Sequence, residues 1–285
     1  MREYYGNNQI SVTALIDDAA PGYKTLCHEH GLSLFIHAGG QNILFDCGST
    51  DRLLHNARRL NIDLADIDVV VLSHGHFDHG GGFRTVAELS GVKRLITGRS
   101  FFTPKYRLEG LRNTYMGVDF DPEYLAAHHI VHEICGGLVQ LNDDCWVIGD
   151  FPRVTGGETI PAYSMVLENG EFEPDPFDDE VCLATRMDDG LAVFVGCSHP
   201  GLINMLTAVR DRIGLPIHGV WGGTHLLDAG PERLAMTLDA VKKMGIRQLG
   251  FSHCSGTRIN EMLAQDPDVT QCCLRTGDGL LLRHA

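Results

Sequence analysis

The sequence predicts an α/β fold, and three observations carry that prediction. Short apolar runs with strand composition alternate with stretches whose apolar residues recur at helical spacing. At 285 residues, the chain has ample length to bury a proper core. The densest cluster of metal-binding residue types follows directly on one apolar run, at the carboxyl end of a strand, where open α/β sheets place their chemistry.

In chain order, residues 9–16 and 32–37 have strand composition, and residues 43–45 form a third short strand behind the Gly39-Gly40 turn. Between the first two lies Cys27-His28-Glu29-His30, read as a solvated loop at the pocket rim despite its metal-like composition. Thr50 is placed to cap a helix whose apolar positions are Leu53, Leu54, Ala57 and Leu60. Residues 67–72, Ile-Asp-Val-Val-Val-Leu, read as a buried strand. A helix marked by Phe83, Val86, Ala87 and Leu89 follows, then a strand over residues 92–97.

Residues 98–180 break this rhythm with a short helix near 122–131 and frequent Gly, Pro and Asp. They read as an insertion that folds over the metal face, within a single domain spanning 1–285. His128 and His132 stand one helical turn apart but are expected to be surface or packing histidines. The acidic run 170–180 is expected to be a solvated turn. Residues 181–186 and 191–196 then form a hairpin turned by Asp188-Asp189-Gly190. A helix is expected over 202–213, and a strand over 217–221. A second helix opens at Pro231 and ends near Lys242-Lys243-Met244-Gly245. A strand at 248–252 delivers His253, and residues 272–282 have edge-strand character.

The chemistry concentrates in residues 73–82, Ser-His-Gly-His-Phe-Asp-His-Gly-Gly-Gly. Alternation in an extended turn sends His74 and His76 to one side, where both imidazoles can reach one ion. Asp78 and His79 are adjacent and must diverge, which suits a second ion close to the first. His199 and His253 each follow a predicted strand, the same placement as the main motif, and complete the expected ligand set. One or two divalent transition-metal ions are therefore expected, zinc first, with manganese or iron as alternatives.

The motif His74-x-His76-x-Asp78-His79 resembles the signature of the metallo-β-lactamase superfamily, and residues 43–48 resemble its early Asp-x-Gly turn. Gly31-Leu32-Ser33, Gly149-Asp150-Phe151-Pro152-Arg153, Gly196-Cys197-Ser198-His199-Pro200-Gly201, Gly222-Gly223-Thr224-His225-Leu226 and Ser252-His253-Cys254-Ser255-Gly256 resemble one subgroup. Its members are commonly labelled 7,8-dihydropterin-6-methyl-4-(β-ribofuranosyl)aminobenzene 5′-phosphate synthases. The resemblance implies a four-layer αββα sandwich and a pocket for a pterin- or ribosyl-phosphate-sized ligand. It also implies carbon–carbon bond formation with loss of diphosphate as one reaction.

The common superfamily pattern has a lone His and then a bridging Asp in mid-chain, and here the sequence departs from it. No histidine lies between His132 and His199, and Gly196-Cys197 stands where Gly-Asp is expected. Either His199 fills the lone-His role, or it sits near the bridging position with Asp179 or Glu180 as partner.

Asp78 is expected to be both ligand and proton acceptor, and Asp46 to hold the metal-loop histidines in place. His225 is read as facing the pocket, anchoring substrate or acting as an acid; a ligand role and a packed histidine are the alternatives. Arg153 offers a planar guanidinium for phosphate, with a surface salt bridge as the alternative.

The expected function is a metal-dependent hydrolase or transferase that activates water or a phosphorylated substrate. An iron-bound redox enzyme and a metal-binding sensor without turnover are the alternatives.

The net charge of −14 argues against a nucleic-acid partner, which needs a basic surface. A small anionic molecule is the expected partner. No apolar run long enough for a membrane span occurs, and residues 1–6 do not read as a signal peptide. Nine cysteines without framework spacing point to a reducing, cytoplasmic setting. Cys27, Cys47, Cys135, Cys145 and Cys182 are expected to pack as small hydrophobes, while Cys197 and Cys254 flank proposed ligands.

Overall fold

Apolar, β-branched runs in the first half pair into one sheet in the computed structural model, which describes residues 9–283. The expectation about residues 1–6 falls outside that range. Strands β1 (Gln9–Ile16), β2 (Ser33–Ala38) and β3 (Gln41–Phe45) form an antiparallel meander. Its second turn is tight because Gly39 and Gly40 both take positive φ.

From β3 the chain crosses through α1 (Arg52–Arg59) to β4 (Val69–Val71), parallel to β3. All three valines of β4 are buried, as befits a parallel strand covered on both faces. The cap of α1 differs from expectation. Asp51 takes the N-cap position without a side-chain bond, and the Thr50 hydroxyl instead donates to Glu29 at 2.6 Å. The chain continues through α2 (Phe77–Gly80) and α3 (Phe83–Ser90) to β5 (Arg94–Thr97), parallel to β4.

The segment after β5 opens with a hairpin, β6 (Lys105–Glu109) and β7 (Arg112–Tyr115). The helix expected near 122–131 is shorter, α4 (Pro122–Ala127), started by Asp121, whose side chain accepts the Tyr124 N–H. It stops where His129 turns to φ 56, and β8 (Val131–Ile134) then pairs parallel to β5. His128 stacks on Tyr124 and His132 bonds to Thr97, and neither joins a three-donor cluster among the described residues.

Next come β9 (Leu138–Asn142), β10 (Cys145–Gly149), β11 (Ser164–Glu168) and β12 (Glu171–Pro174). The acidic run is only partly solvated. Strand β12 is exposed, but Asp175, Asp179 and Glu180 are buried, each with protein partners.

The hairpin β13 (Val181–Met187) and β14 (Gly190–Val195) then leads through α5 (Leu202–Ile213) to β15 (Ile217–Gly222). Helix α6 (Pro231–Lys243) leads to β16 (Gln248–Phe251). The expected tail strand over 272–282 is shorter, its strand beginning only at Gly279. After α7 (Thr257–Gln265), β17 (Thr270–Gln271) pairs with β16, whereas β18 (Gly279–Arg283) returns to β1.

Two seven-stranded sheets result, ordered β18-β1-β2-β3-β4-β5-β8 and β17-β16-β15-β14-β13-β10-β9. A smaller sheet, β12-β11-β6-β7, is built from the segment between β5 and β13. The inner faces meet in one cluster, Ile36, Phe45 and Val71 against Val147, Phe194 and Trp221. Leu44, Val70 and Leu72 pack outward on Leu53, Phe83 and Val86 of α1 and α3. Val193, Val220 and Leu249 pack outward on Leu206, Val209 and Val241 of α5 and α6. The layers are thus αββα. Each fully buried Leu, Ile, Val or Phe adds about 1.5–3 kcal/mol of hydrophobic stabilisation. Among the described residues no helix is long and apolar enough to cross a membrane.

Candidate metal centre

The carboxyl ends of β4, β14 and β16 and the turns after β1 and β3 supply one cluster of side chains. Asp46, at positive φ just past β3, is fully buried and accepts from the Ser73 N–H at 2.7 Å and the Ser73 hydroxyl at 2.8 Å. It also accepts from His79 Nδ1 at 2.7 Å, which turns His79 Nε2 toward the cluster. Ser73 Oγ lies 3.0 Å from His74 Nδ1, so one carboxylate reaches two histidines of the motif. The Gly75 N–H donates to Asp179 at 2.7 Å, and a side chain at Gly75 would collide with the Phe101 carbonyl.

The histidines and Asp78 fall into two groups. His74, His76 and His199 bring ligand atoms within 4.8 Å of one another, as do Asp78, His79 and His253. In the first group His74 Nε2 stands 3.0 Å from His76 Nδ1. His199 is buried, and neither ring nitrogen has a partner. In the second, Asp78 Oδ2 lies 3.4 Å from His253 Nε2 and 3.6 Å from His79 Nε2, while Asp78 Oδ1 has no partner. A buried polar group without a partner costs about 1–3 kcal/mol, so these orphaned atoms ask for a ligand.

The electrostatics agree with that need. Burial first, and then neighbouring imidazoles, hold His74 and His199 well below the usual histidine range. Burial brings His76 down to about 3. All three are therefore neutral bases, the form that coordinates metal. Burial alone would raise Asp78, but His79, His253 and His30 outweigh it and keep the carboxylate ionised. Three neutral imidazoles beside a carboxylate with two imidazoles fit one or two divalent transition-metal ions.

Several residues of the centre escaped the sequence reading. Asp18, just past β1, stands 2.6 Å from His253 Nδ1 and repeats for that ring what Asp46 does for His79. Its signal was available, since it follows a strand as the ligands do. His30 is 58% exposed at the rim, yet its Nε2 lies 3.2 Å from Asp78 Oδ2 and its Nδ1 2.8 Å from Asp18. Hydrogen bonds to those two carboxylates raise His30 to about 10. Lys105, 2% exposed, bonds Asp175 at 2.8 Å and Asp179 at 3.1 Å, and its ammonium lies over the Phe177 ring. Phe177 in turn stacks on His199 at 3.9 Å between centroids.

At the position left open in the sequence, His199 groups with His74 and His76, and neither Asp179 nor Glu180 belongs to a three-donor group among the described residues. Asp179 is engaged by Gly75 and Lys105. Glu180 accepts the N–H groups of Cys197, Ser198 and His199, and burial pushes its carboxyl up to about 8. Cys197 is the side chain that faces inward there, with Sγ 3.2 Å from His79 Nε2.

His225 is half-buried, its ring 4.5 Å from that of His199. It belongs to no three-donor group among the described residues. Arg153 lies in neither group, and its exposed guanidinium donates to the Pro176 carbonyl beside Phe177. Asp46, Ser198, His225 and His253 all hold positive φ without being glycine. Such strained conformations, held by their surroundings, gather at functional sites.

Comparison with known proteins follows the same direction. Residues 29–163 match the sequence model of the metallo-beta-lactamase superfamily. The chain is 30% identical over 278 residues to a 7,8-dihydropterin-6-methyl-4-(beta-D-ribofuranosyl)-aminobenzene-5′-phosphate synthase of Methanocaldococcus jannaschii, covering 91% of this chain and 92% of that one. It is 29% identical over 256 residues to an uncharacterised protein of the same organism, covering 89% and 94%. Among solved structures, Tm1679, described as a metal-dependent hydrolase of the beta-lactamase superfamily, superposes with a TM-score of 0.82 at 28% identity, over 95% of this chain and 98% of that one. A diphosphatase of the PhnP family shares the fold at a TM-score of 0.54 and 14% identity, over 97% and 98% of the two chains.

Proposed function

The chain belongs to the metallo-beta-lactamase superfamily, and from that premise we propose that it is a metal-dependent enzyme acting on a small phosphorylated molecule, by hydrolysis or group transfer. The observation that carries this reading is the pairing of His74, His76 and His199 with Asp78, His79 and His253, with the His199 nitrogens and Asp78 Oδ1 left without protein partners. A divalent ion held by these residues would supply Lewis acidity toward a phosphoryl oxygen and would lower the pKa of water toward neutrality.

The protein's own groups then have separate tasks. Asp78, kept ionised, accepts a proton at Oδ1. His225, beside His199, anchors the substrate or donates a proton to the leaving group. The segment 98–180 covers the metal face, a role supported by the stack of Phe177 on His199 and by Lys105, which ties Asp175 and Asp179 together behind the loop. Arg153, held at Pro176 on that cover, recognises phosphate. A pterin or ribosyl phosphate is the preferred substrate class, supported by the name of the 30% identical relative.

The test is a panel of phosphodiesters, lactones and pterin diphosphates offered to metal-replete and chelated protein. Metal-dependent turnover of a phosphorylated member is expected. Metal-replete protein that turns over only lactones, or none of the panel, would overturn the reading.

A further inference from the structure

We propose that Arg107, stacked on Tyr163 at the mouth of the metal centre, forms a second anion subsite that binds an oxyanion group of the substrate distal to the reacting phosphoryl group. The inference rests on the phosphorylated-substrate reading above and adds a requirement to it, that the substrate carries two anionic groups.

Strand alternation sets the direction. In β6, Lys105 and Arg107 share one face, and Tyr106 takes the other with Tyr115 and Phe172. Lys105 is buried over Phe177, the ring that stacks on His199, so its face of β6 looks toward the metal centre. Arg107 stands about 7 Å further along the strand. It is 44% exposed, at the mouth of the centre rather than beside the ligands. Its guanidinium lies over the Tyr163 ring, 4.4 Å from the centroid. Tyr163 immediately precedes Ser164, the partner of Arg107 across the β6–β11 ladder. Burial raises the Tyr163 hydroxyl, and Arg107, Asp228, Glu109 and Cys254 also act on it through space. Asp228 is three residues past His225, and Cys254 directly follows His253. Tyr163 therefore stands between Arg107 and the loops that carry those two histidines.

The fold itself has little need of this arrangement. Arg107 Nε lies 2.8 Å and Nη2 2.5 Å from Glu109 Oε1, which leaves Nη1 without a partner among the described residues. Both side chains of that ion pair are about half exposed, and such pairs stabilise a fold little. Stacked on a ring and steered by a carboxylate, the planar guanidinium presents its open edge in one orientation. That is the geometry that recognises an oxyanion through paired N–H donors. The neighbouring cations have other tasks. Lys105 is neutralised by Asp175 and Asp179, and Arg153 is held at Pro176, beside Phe177 and His199. An anionic group at the mouth of the centre therefore falls to Arg107.

The experiment is a binding comparison on the metal-replete full chain, read by isothermal titration calorimetry. The probes are phenyl phosphate and 4-carboxyphenyl phosphate, which differ only in a carboxylate on the far side of the ring. The native protein should bind the carboxylated probe about tenfold more tightly. Arg107→Ala should remove that preference while leaving the affinity for phenyl phosphate unchanged, which also shows that the variant folds and keeps its centre. Arg107→Lys keeps the charge but not the planar fork and should retain part of the preference. Tyr163→Leu removes the ring that steadies the guanidinium and should lose part of it. Equal affinity of the native protein for the two probes overturns the proposal and leaves the metal-dependent reading intact. So does a preference that survives Arg107→Ala, or an equal loss for both probes in that variant. Native protein that binds neither probe overturns this subsite and the phosphorylated-substrate reading together.

Discussion

Replacing Lys105 by Met tests how the metal loop is held in place. The ammonium lies 2.8 Å from Asp175 and 3.1 Å from Asp179, with all three side chains at most 2% exposed. Asp179 passes the restraint on through Gly75, between His74 and His76. Methionine fills similar volume but strands two buried carboxylates without their cation. Breaking a buried pair in this way costs about 3–5 kcal/mol, a large part of the 5–15 kcal/mol typical of a domain.

The penalty must depend on pH, and its sign follows from the groups involved. In the native protein burial pulls the Lys105 ammonium down, but Asp179 and Asp175 outweigh it, so the cation persists well above neutrality. Burial already raises Asp179. Without the cation one carboxyl retains its proton in the folded state at pH values where the unfolded chain has lost it. Stability of the variant therefore falls by about 1.4 kcal/mol for each pH unit above the unfolded carboxyl range until that proton leaves. Urea denaturation at pH 5 and pH 8 is the assay, and the variant should fall further below the native protein at pH 8. Adding Asp179→Asn should recover part of the loss at pH 8. A variant within about 0.5 kcal/mol of the native protein at both pH values would refute the reasoning.

Three further outcomes are expected. Asp78→Asn keeps the size but removes charge and base, so turnover should be lost and metal content should fall toward one ion per chain by elemental analysis. His225→Ala should retain its metal but lose roughly 10²–10⁴ in turnover if the ring is the acid, or gain in KM if it only positions substrate; loss of metal would make it a ligand instead. Arg153→Ala should raise KM for a phosphorylated substrate without changing metal content, and an unchanged KM would remove Arg153 from the binding site.

How much of this was legible in the sequence varies with how local the signal is. His74, His76, Asp78 and His79 share one loop after one buried strand, and His199 and His253 obey the same strand-end rule, so periodicity and spacing were enough to nominate them. Asp18 obeys that rule too, but no histidine adjoins it in sequence; of its two partners, His30 lay in a run read as a solvated loop and His253 is 235 positions away. The acidic run 170–180 misled because composition does not reveal which carboxylates meet a buried cation or a row of N–H groups. Asp175 and Asp179 find Lys105, and Glu180 finds residues 197–199. The helix near 122–131 was overextended because its stop is His129 in a left-handed conformation, where a glycine would have announced it.

The pairing of β18 with β1 joins Gln9 to Arg283 and Thr13 to Gly279. Beside that ladder, the Asp17 N–H bonds Thr276 Oγ1, and Asp17 in turn accepts the His253 N–H. During synthesis β1 is made before β18, and this edge of β1 stays unpaired until β18 follows. An exposed edge of that kind invites pairing with other chains, so the nascent protein passes through a long aggregation-prone interval. The two ends of the metal centre also draw on different parts of the chain. The ligands of the three-histidine group all lie within residues 74–199, whereas the Asp78 group includes His253, beside the tail that steadies it. The last ligand of the Asp78 end is therefore synthesised after every ligand of the other.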